Sequence, residues 1–178
     1  MLTALNDIGT TQAKPTENTK QECQQLMDYA ATYPELIIQF YTSDMVLHVD
    51  SDIVYLVLPN VKSRVVGYYY LTSIQPTPDQ APTLNALILV ICKTLRHMCS
   101  SAAKAETAGV FTNAQLAIPI RYILECLGHP QPPTPIKSDN STIMRFVNNN
   151  IHQKRSKSWD IQYHWLRDKE VQNKIRVY

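Results

Sequence analysis

Four acidic residues stand out by position: Asp50 and Asp52, two apart in MVLHVDSD, Glu106 in AAKAETAG and Asp139 in PIKSDN. Carboxylates are hard oxygen ligands suited to divalent ions such as Mg²⁺. Two such ions held ~4 Å apart can activate water and stabilise the leaving oxygen of a phosphodiester. That is nuclease chemistry. Aspartates at strand ends also form turns and cap helices, so spacing alone leaves both readings open.

Those acids must be positioned by secondary structure, and the chain punctuates itself clearly. Four glycines are few, and eleven prolines include the clusters PTPDQAP (76–82) and PQPPTP (130–135), which separate elements rigidly. Residues 1–33 read as two helices, the second starting at Pro15, Thr16 and Glu17 and stopping at Pro34. From Leu36 the pattern turns β-branched and aromatic, in LIIQFY, MVLHVDSD, SRVVGYYYLT and ALILVICKTL, predicting three or four strands. Ser100 or Ser101 caps a long helix that runs to Gly128 and should kink at Pro119. PIKSD, NSTIMRFVNNN, HQKRSKSWDIQYHWLRDKE and IRVY then read as strand, helix, helix and strand. This is an α/β order with a mixed sheet. Asp50 and Asp52 would end the first core strand, Glu106 would lie in the first turns of the long helix, and Asp139 would end the fourth strand. Such strand ends can converge on one point.

Composition narrows the partners. Of 178 residues, 44% are hydrophobic and 18% charged, the profile of a globular domain, and the formal charge of +2 announces no polyanion. Its distribution says more: residues 1–136 hold eight basic and eleven acidic residues, whereas 137–178 hold nine and four. A polyanion should therefore meet the last quarter. No apolar run reaches the ~18 residues that span a bilayer, and no targeting signal is recognisable. Cys23, Cys92, Cys99 and Cys126 have neither C-x-x-C nor zinc-ligand spacing, and read as packed thiols in a reducing compartment.

HVDSDIVYL, SSAAKAETAGVF, PIKSDNSTIMRFVNN and QKRSKSWDIQYHWLRD, in that order, resemble the ribonuclease H domain of copia-type retrotransposon polyproteins. QAKPTENTKQECQQLMDYAAT resembles the stretch joining a reverse transcriptase thumb to that domain. The resemblance implies a helical thumb or connection remnant over 1–35 and a ribonuclease H-like domain over 36–178, built on a mixed five-stranded sheet with flanking helices. It implies a Mg²⁺-dependent endonuclease cutting the RNA strand of an RNA–DNA hybrid. Asp52 matches the first-strand aspartate, Glu106 the helix glutamate and Asp139 the fourth-strand aspartate, as catalytic metal ligands. Lys154, Arg155 and Lys157 would track the hybrid's phosphates.

The sequence also departs from the family. The helix expected after the last strand, with its fourth aspartate, is missing before Tyr178, and Asp160 belongs to a different family motif. Met1 falls inside the thumb-like region, as in a polyprotein fragment with its own start. Ile53 and Val54 replace small residues beside Asp52, and Lys104 stands where an acid is common, so its ammonium should depress Glu106's pKa and compete with a metal. Asp50 reads as a solvated turn residue and His48 as a packed or solvent-facing histidine. Tyr68, Tyr69 and Tyr70 read as base-stacking or as buried on a sheet face, and at least one of Trp159 and Trp165 as core. The expectation is an enzyme weakened or lost. The alternative is a non-catalytic module whose apolar surface, exposed by the missing helix, is covered by a protein partner.

Overall fold

The computed structural model describes residues 1–58, 61–74, 83–95, 99–148 and 157–178; of 57 and 157–160 it describes the backbone. The chain divides into Met1–Gln39 and Phe40–Tyr178.

The first unit is a pair of helices, α1 (Leu2–Thr10) and α2 (Glu17–Thr32). Thr16 caps α2 in a reciprocal box: its hydroxyl accepts from the Thr19 N–H at 3.3 Å, and its own N–H donates to the Thr19 hydroxyl at 3.2 Å. Thr19 thus takes the role usually given to Glu or Gln. α1 buries no residue and α2 only Thr19, so two short helices form no core of their own.

The second unit is a mixed five-stranded sheet, ordered β3-β2-β1-β4-β5. β1 (Val46–Leu58), β2 (Lys62–Thr72) and β3 (Leu87–Thr94) form an antiparallel meander. α3 (Ala102–Cys126) then crosses to β4 (Thr134–Lys137), which lies parallel to β1, and α4 (Ser141–Asn148) and α5 (Lys157–Val171) lead to β5 (Ile175–Val177), parallel to β4. This is the mixed five-stranded α/β arrangement with flanking helices that the resemblance implies. α3, α4 and α5 pack against one another and against one face of the sheet, and the core lies between, from Leu47, Val49 and Tyr69 to Ile143, Leu166 and Val177. Among the described residues of this unit, no helix covers the other face.

Two features of the sequence reading need correction. LIIQFY (36–41) is not a strand: it is irregular, and Ile37 is 82% exposed. β-propensity reports fit to a neighbouring strand, and here the Tyr41 N–H and C=O are taken instead by the Asn85 side-chain amide, each at 2.9 Å. Conversely, β1 does not end at Asp52 but continues through IVYLVL to Leu58, so Asp50 and Asp52 lie within the strand. The ladder with β2 becomes irregular between Val54 and Leu58, where Leu56 adopts a φ of 56°.

α3 starts where expected, with the Ser101 hydroxyl accepting from the Lys104 N–H at 3.3 Å, and it continues through Pro119 to a left-handed Gly128. Its buried face is small: Ala105, Ala108, Gly109, Ala114 and Ala117. Small side chains let the helix axis lie close to the sheet, and one polar residue pins it there. The Asn113 amide donates to Ser51 Oγ at 2.8 Å and to the Val66 carbonyl at 3.0 Å, while the Tyr69 hydroxyl donates to the Asn113 Oδ1 at 2.9 Å. Asn113 sits directly over Gly67, where an added Cβ would lie 2.1 Å from Asn113 Oδ1.

A second clamp holds the loop before β4. The Gln131 side chain donates to the Met45 carbonyl at 2.8 Å and accepts from the Leu47 N–H at 2.9 Å. The Arg121 guanidinium donates to the Pro132 and Gln131 carbonyls and pairs with Glu125 at 3.0 Å. These bonds join α3, the loop and the start of β1.

Gly67→Ala should destabilise the chain by about 1–3 kcal/mol, the usual cost of overpacking, and Asn113→Ala by a similar amount, because it leaves buried polar atoms unpaired. Urea unfolding of both variants measures the loss; wild-type stability in either would remove Asn113 as the pin.

Candidate metal centre and nucleic-acid interface

The parallel pairing of β1 and β4 registers Val49 with Ile136 and Asp50 with Lys137. Asp139 lies two residues past the end of β4, as Asp52 lies two residues past the last β1 residue paired with β4. Alternate residues share a face, so Asp50 and Asp52 project from one side of β1, while Leu47, Val49, Ser51 and Ile53 face the helices. Glu106 lies in the first turns of α3, between buried Ala105 and Thr107.

Glu106 is partly buried, and Asp52 and Asp139 are exposed. Burial, followed by the charges of Asp139 and Asp52, raises the Glu106 pKa from 4.5 to about 7. Glu106 thus feels the charge of both other acids that the sequence names. Their donor set fits a hard divalent cation, and the part of the Glu106 shift that comes after burial, from the charges of Asp139 and Asp52, is what such an ion would offset. Among the described residues, however, no three His, Cys, Asp or Glu side chains stand as a ready ligand cluster. Asp52 Oδ1 is engaged locally, accepting from the Ile53 N–H at 2.7 Å.

Several expectations change at this site. Ile53 does not crowd Asp52: it points to the helix side, is buried, and packs near Gly109, whereas exposed Val54 shares the Asp52 face. Strand alternation is the reason. The Lys104 ammonium does not hold Glu106 down, since that carboxyl is raised; its charge acts instead on the Cys99 thiol. Asp50 is no solvated turn residue. Its side chain is only 36% exposed, Oδ1 is buried without a hydrogen-bond partner, and burial pushes the carboxyl up while Lys137 opposes the shift.

His48 is packed, at 3% exposure, with its pKa lowered to about 4 by burial and by Lys137. Its ring centroid lies 4.9 Å from Tyr70, and Nε2 is 2.5 Å from the Tyr178 hydroxyl. Sequence reasoning missed Tyr178 and Lys137 as neighbours of His48 and Asp50; only the sheet order joins them.

The tyrosine run splits by face, with Tyr69 in the core, Tyr70 buried outside it and Tyr68 half-buried on the helix-free side. Trp165 packs edge-on against Phe111 at 5.2 Å, beside the core. Cys126 is exposed rather than packed. Lys154 and Arg155 lie outside the described residues, as do the side chains of Lys157, Trp159 and Asp160; Lys157 opens α5. No described helix is long and apolar enough to cross a membrane.

No protein-family model and no curated protein matches this chain. Solved structures similar to it include ribonuclease H domains. An N-terminal ribonuclease H domain from Mycobacterium tuberculosis is 9% identical with a TM-score of 0.46, over 75% of this chain and 78% of that one. A ribonuclease H1 solved in complex with an RNA/DNA hybrid is 6% identical with a TM-score of 0.48, over 74% and 80%. The ribonuclease H domain of prototype foamy virus is 13% identical with a TM-score of 0.41, over 77% and 78%.

A raised carboxyl pKa means that the fold prefers protonated Glu106. That stabilisation is complete below pH 4.5 and is lost as the pH rises through about 7. Glu106→Gln should therefore match wild type at pH 4 and exceed it at pH 8 by about 2 kcal/mol, less than the ~3.4 kcal/mol that the full shift would give at ~1.4 kcal/mol per pKa unit, because solvent screens a half-buried carboxyl. Thermal unfolding across this range tests it; equal pH dependence in both proteins would place Glu106 outside the acidic field.

Proposed function

We propose that Phe40–Tyr178 is a ribonuclease H-type domain of copia-type retroelement descent that binds RNA–DNA hybrids. In this reading Asp52, Glu106 and Asp139 hold Mg²⁺. What supports it is the placement of part-buried Glu106 in the first turns of α3, where burial, followed by the charges of Asp139 and Asp52, pushes its carboxyl up to about 7. When bound, Mg²⁺ supplies charge stabilisation for phosphodiester hydrolysis. The chain's own part is to focus negative charge there and to release the Glu106 proton as a cation enters, so affinity should rise with pH up to about 7.

Cleavage by this chain is expected to be very weak. Asp52 Oδ1 is bound to its own strand and no closed cluster stands ready among the described residues, and displacing a reacting group by ~1 Å can cost about 10²-fold in rate. The hybrid would meet the basic last quarter, including Lys154, Arg155 and Lys157.

A second reading, a non-catalytic module whose open sheet face docks on a protein partner, is favoured by one observation. Val54, Val66, Tyr68 and Val90 remain exposed or half-exposed on the side that carries no described helix of this unit.

Incubation with a labelled hybrid and Mg²⁺ separates the two. Trace cleavage abolished by Asp52→Asn supports the nuclease; no cleavage together with no hybrid binding supports the module. Reversing charge at Lys154, Arg155 and Lys157 should weaken hybrid affinity and flatten its salt dependence by about 0.9 in log–log slope for each phosphate no longer neutralised. Binding indifferent to salt and to these changes would exclude the basic segment.

A further inference from the structure

LIIQFY (36–41) has the composition of a strand yet lies irregular and open, with Leu36, Ile37, Ile38 and Phe40 59–82% exposed. β3 is the outer strand of the sheet, and among the described residues no strand pairs with it on the side away from β2. Edges are ordinarily blunted by charge, proline or a bulge. β3 carries one lysine, Lys93, and one register shift, between Tyr69 and Tyr70, and is otherwise largely apolar. The Leu95 N–H donates inward to the Ser63 carbonyl at 2.8 Å, so by alternation Val90 directs its N–H and C=O away from β2.

We infer that residues 35–39 of one copy of this chain add to β3 of a second copy as an antiparallel strand, with Glu35 opposite Lys93, Ile37 opposite Ile91 and Ile38 opposite Val90. Each stretch holds a single charge, and in this register the two meet, where opposite charges attract across a ladder. The faces agree as well. Ile37 extends the core from Ile91, and Ile38 joins Val90 and its registered neighbour Tyr68 on the helix-free side. The match also ends where it should: Pro34 has no N–H to lengthen the ladder, and the register shift before Leu89 closes the regular edge.

The same match is out of reach within one chain. The Asn85 side chain holds the Tyr41 N–H and C=O, each at 2.9 Å, and donates to the Leu71 carbonyl near the end of β2 at 2.9 Å. Leu89 lies four residues beyond Asn85, about 10–13 Å along the chain, whereas the two residues from Tyr41 back to Gln39 span at most about 7 Å. Gln39 cannot stand opposite its own Leu89 while that clasp holds. Strand and edge both belong to this sequence, so every copy brings what its neighbour's edge takes. The inference rests on neither functional reading, since it needs no metal, no hybrid and no foreign partner.

Light scattering on the full chain from about 1 µM to about 1 mM should show the mass rising from monomer towards dimer and beyond. Over that range amide exchange should slow at Val90 and Ile38 and stay unchanged at Ile91, whose N–H faces β2. Ile38→Pro removes an N–H outside any strand and should weaken association about tenfold, the worth of roughly one backbone hydrogen bond. Glu35→Lys or Lys93→Glu alone should weaken it about threefold by setting like charges opposite, and the two in one chain should restore it. Glu35, Ile38 and Lys93 are all exposed, so these variants keep the fold. A monomer at every concentration overturns the proposal. So does association indifferent to Ile38→Pro and to the charge exchange, which would put the contact on another surface. Protection of Val90 and Ile38 that does not depend on concentration would mean closure within one chain, and overturns it equally.

Discussion

The short parallel seam between β1 and β4 is the constraint on which everything else in the second unit depends. Only Val49–Ile136 and Asp50–Lys137 are in register, and β4 has just four residues. So small a ladder cannot fix its own register by hydrophobic patterning alone. The Gln131 amide, bonded to Met45 and Leu47, and the Arg121 guanidinium, bonded to the same loop from α3, supply the rest. A slip of one residue would drive Ile136 out of the core and carry Asp139 with it. Side-chain hydrogen bonds to a loop thus decide where the acids stand.

Much of this is readable in the sequence, for local reasons. Thr16 and Ser101 announce their helices, Gly128 ends α3, and the prolines mark the breaks. The acids can be picked out because their order along the chain matches a topology. What fails is also physical. LIIQFY has strand composition, but a strand needs an edge to join, and composition does not report one. Ile53 is legible in principle, since alternation from Asp52 sends it to the helix side. The pairing of His48 with Tyr178 crosses 130 residues and three strands, and no local pattern encodes that.

Asp50 and Asp52 show how little separation is needed for two acids to lead different lives. They share a strand and a face, yet one sits with a buried imidazole, two tyrosines and a lysine, and the other at the solvent edge beside Asp139 and Glu106. Burial and neighbouring charge, rather than residue type, set the difference.

The close approach of Gly67 and Asn113 has an evolutionary consequence. With no room for a β-carbon under the amide, any side chain at 67 needs a shorter residue at 113, and that residue must leave Ser51, Val66 and Tyr69 with other partners. Each single change is penalised, while the pair together can be tolerated, so the effects of the two substitutions do not add. Descendants of this chain should therefore cross that position by joint replacement, and the two sites, 46 residues apart, behave as one inherited character.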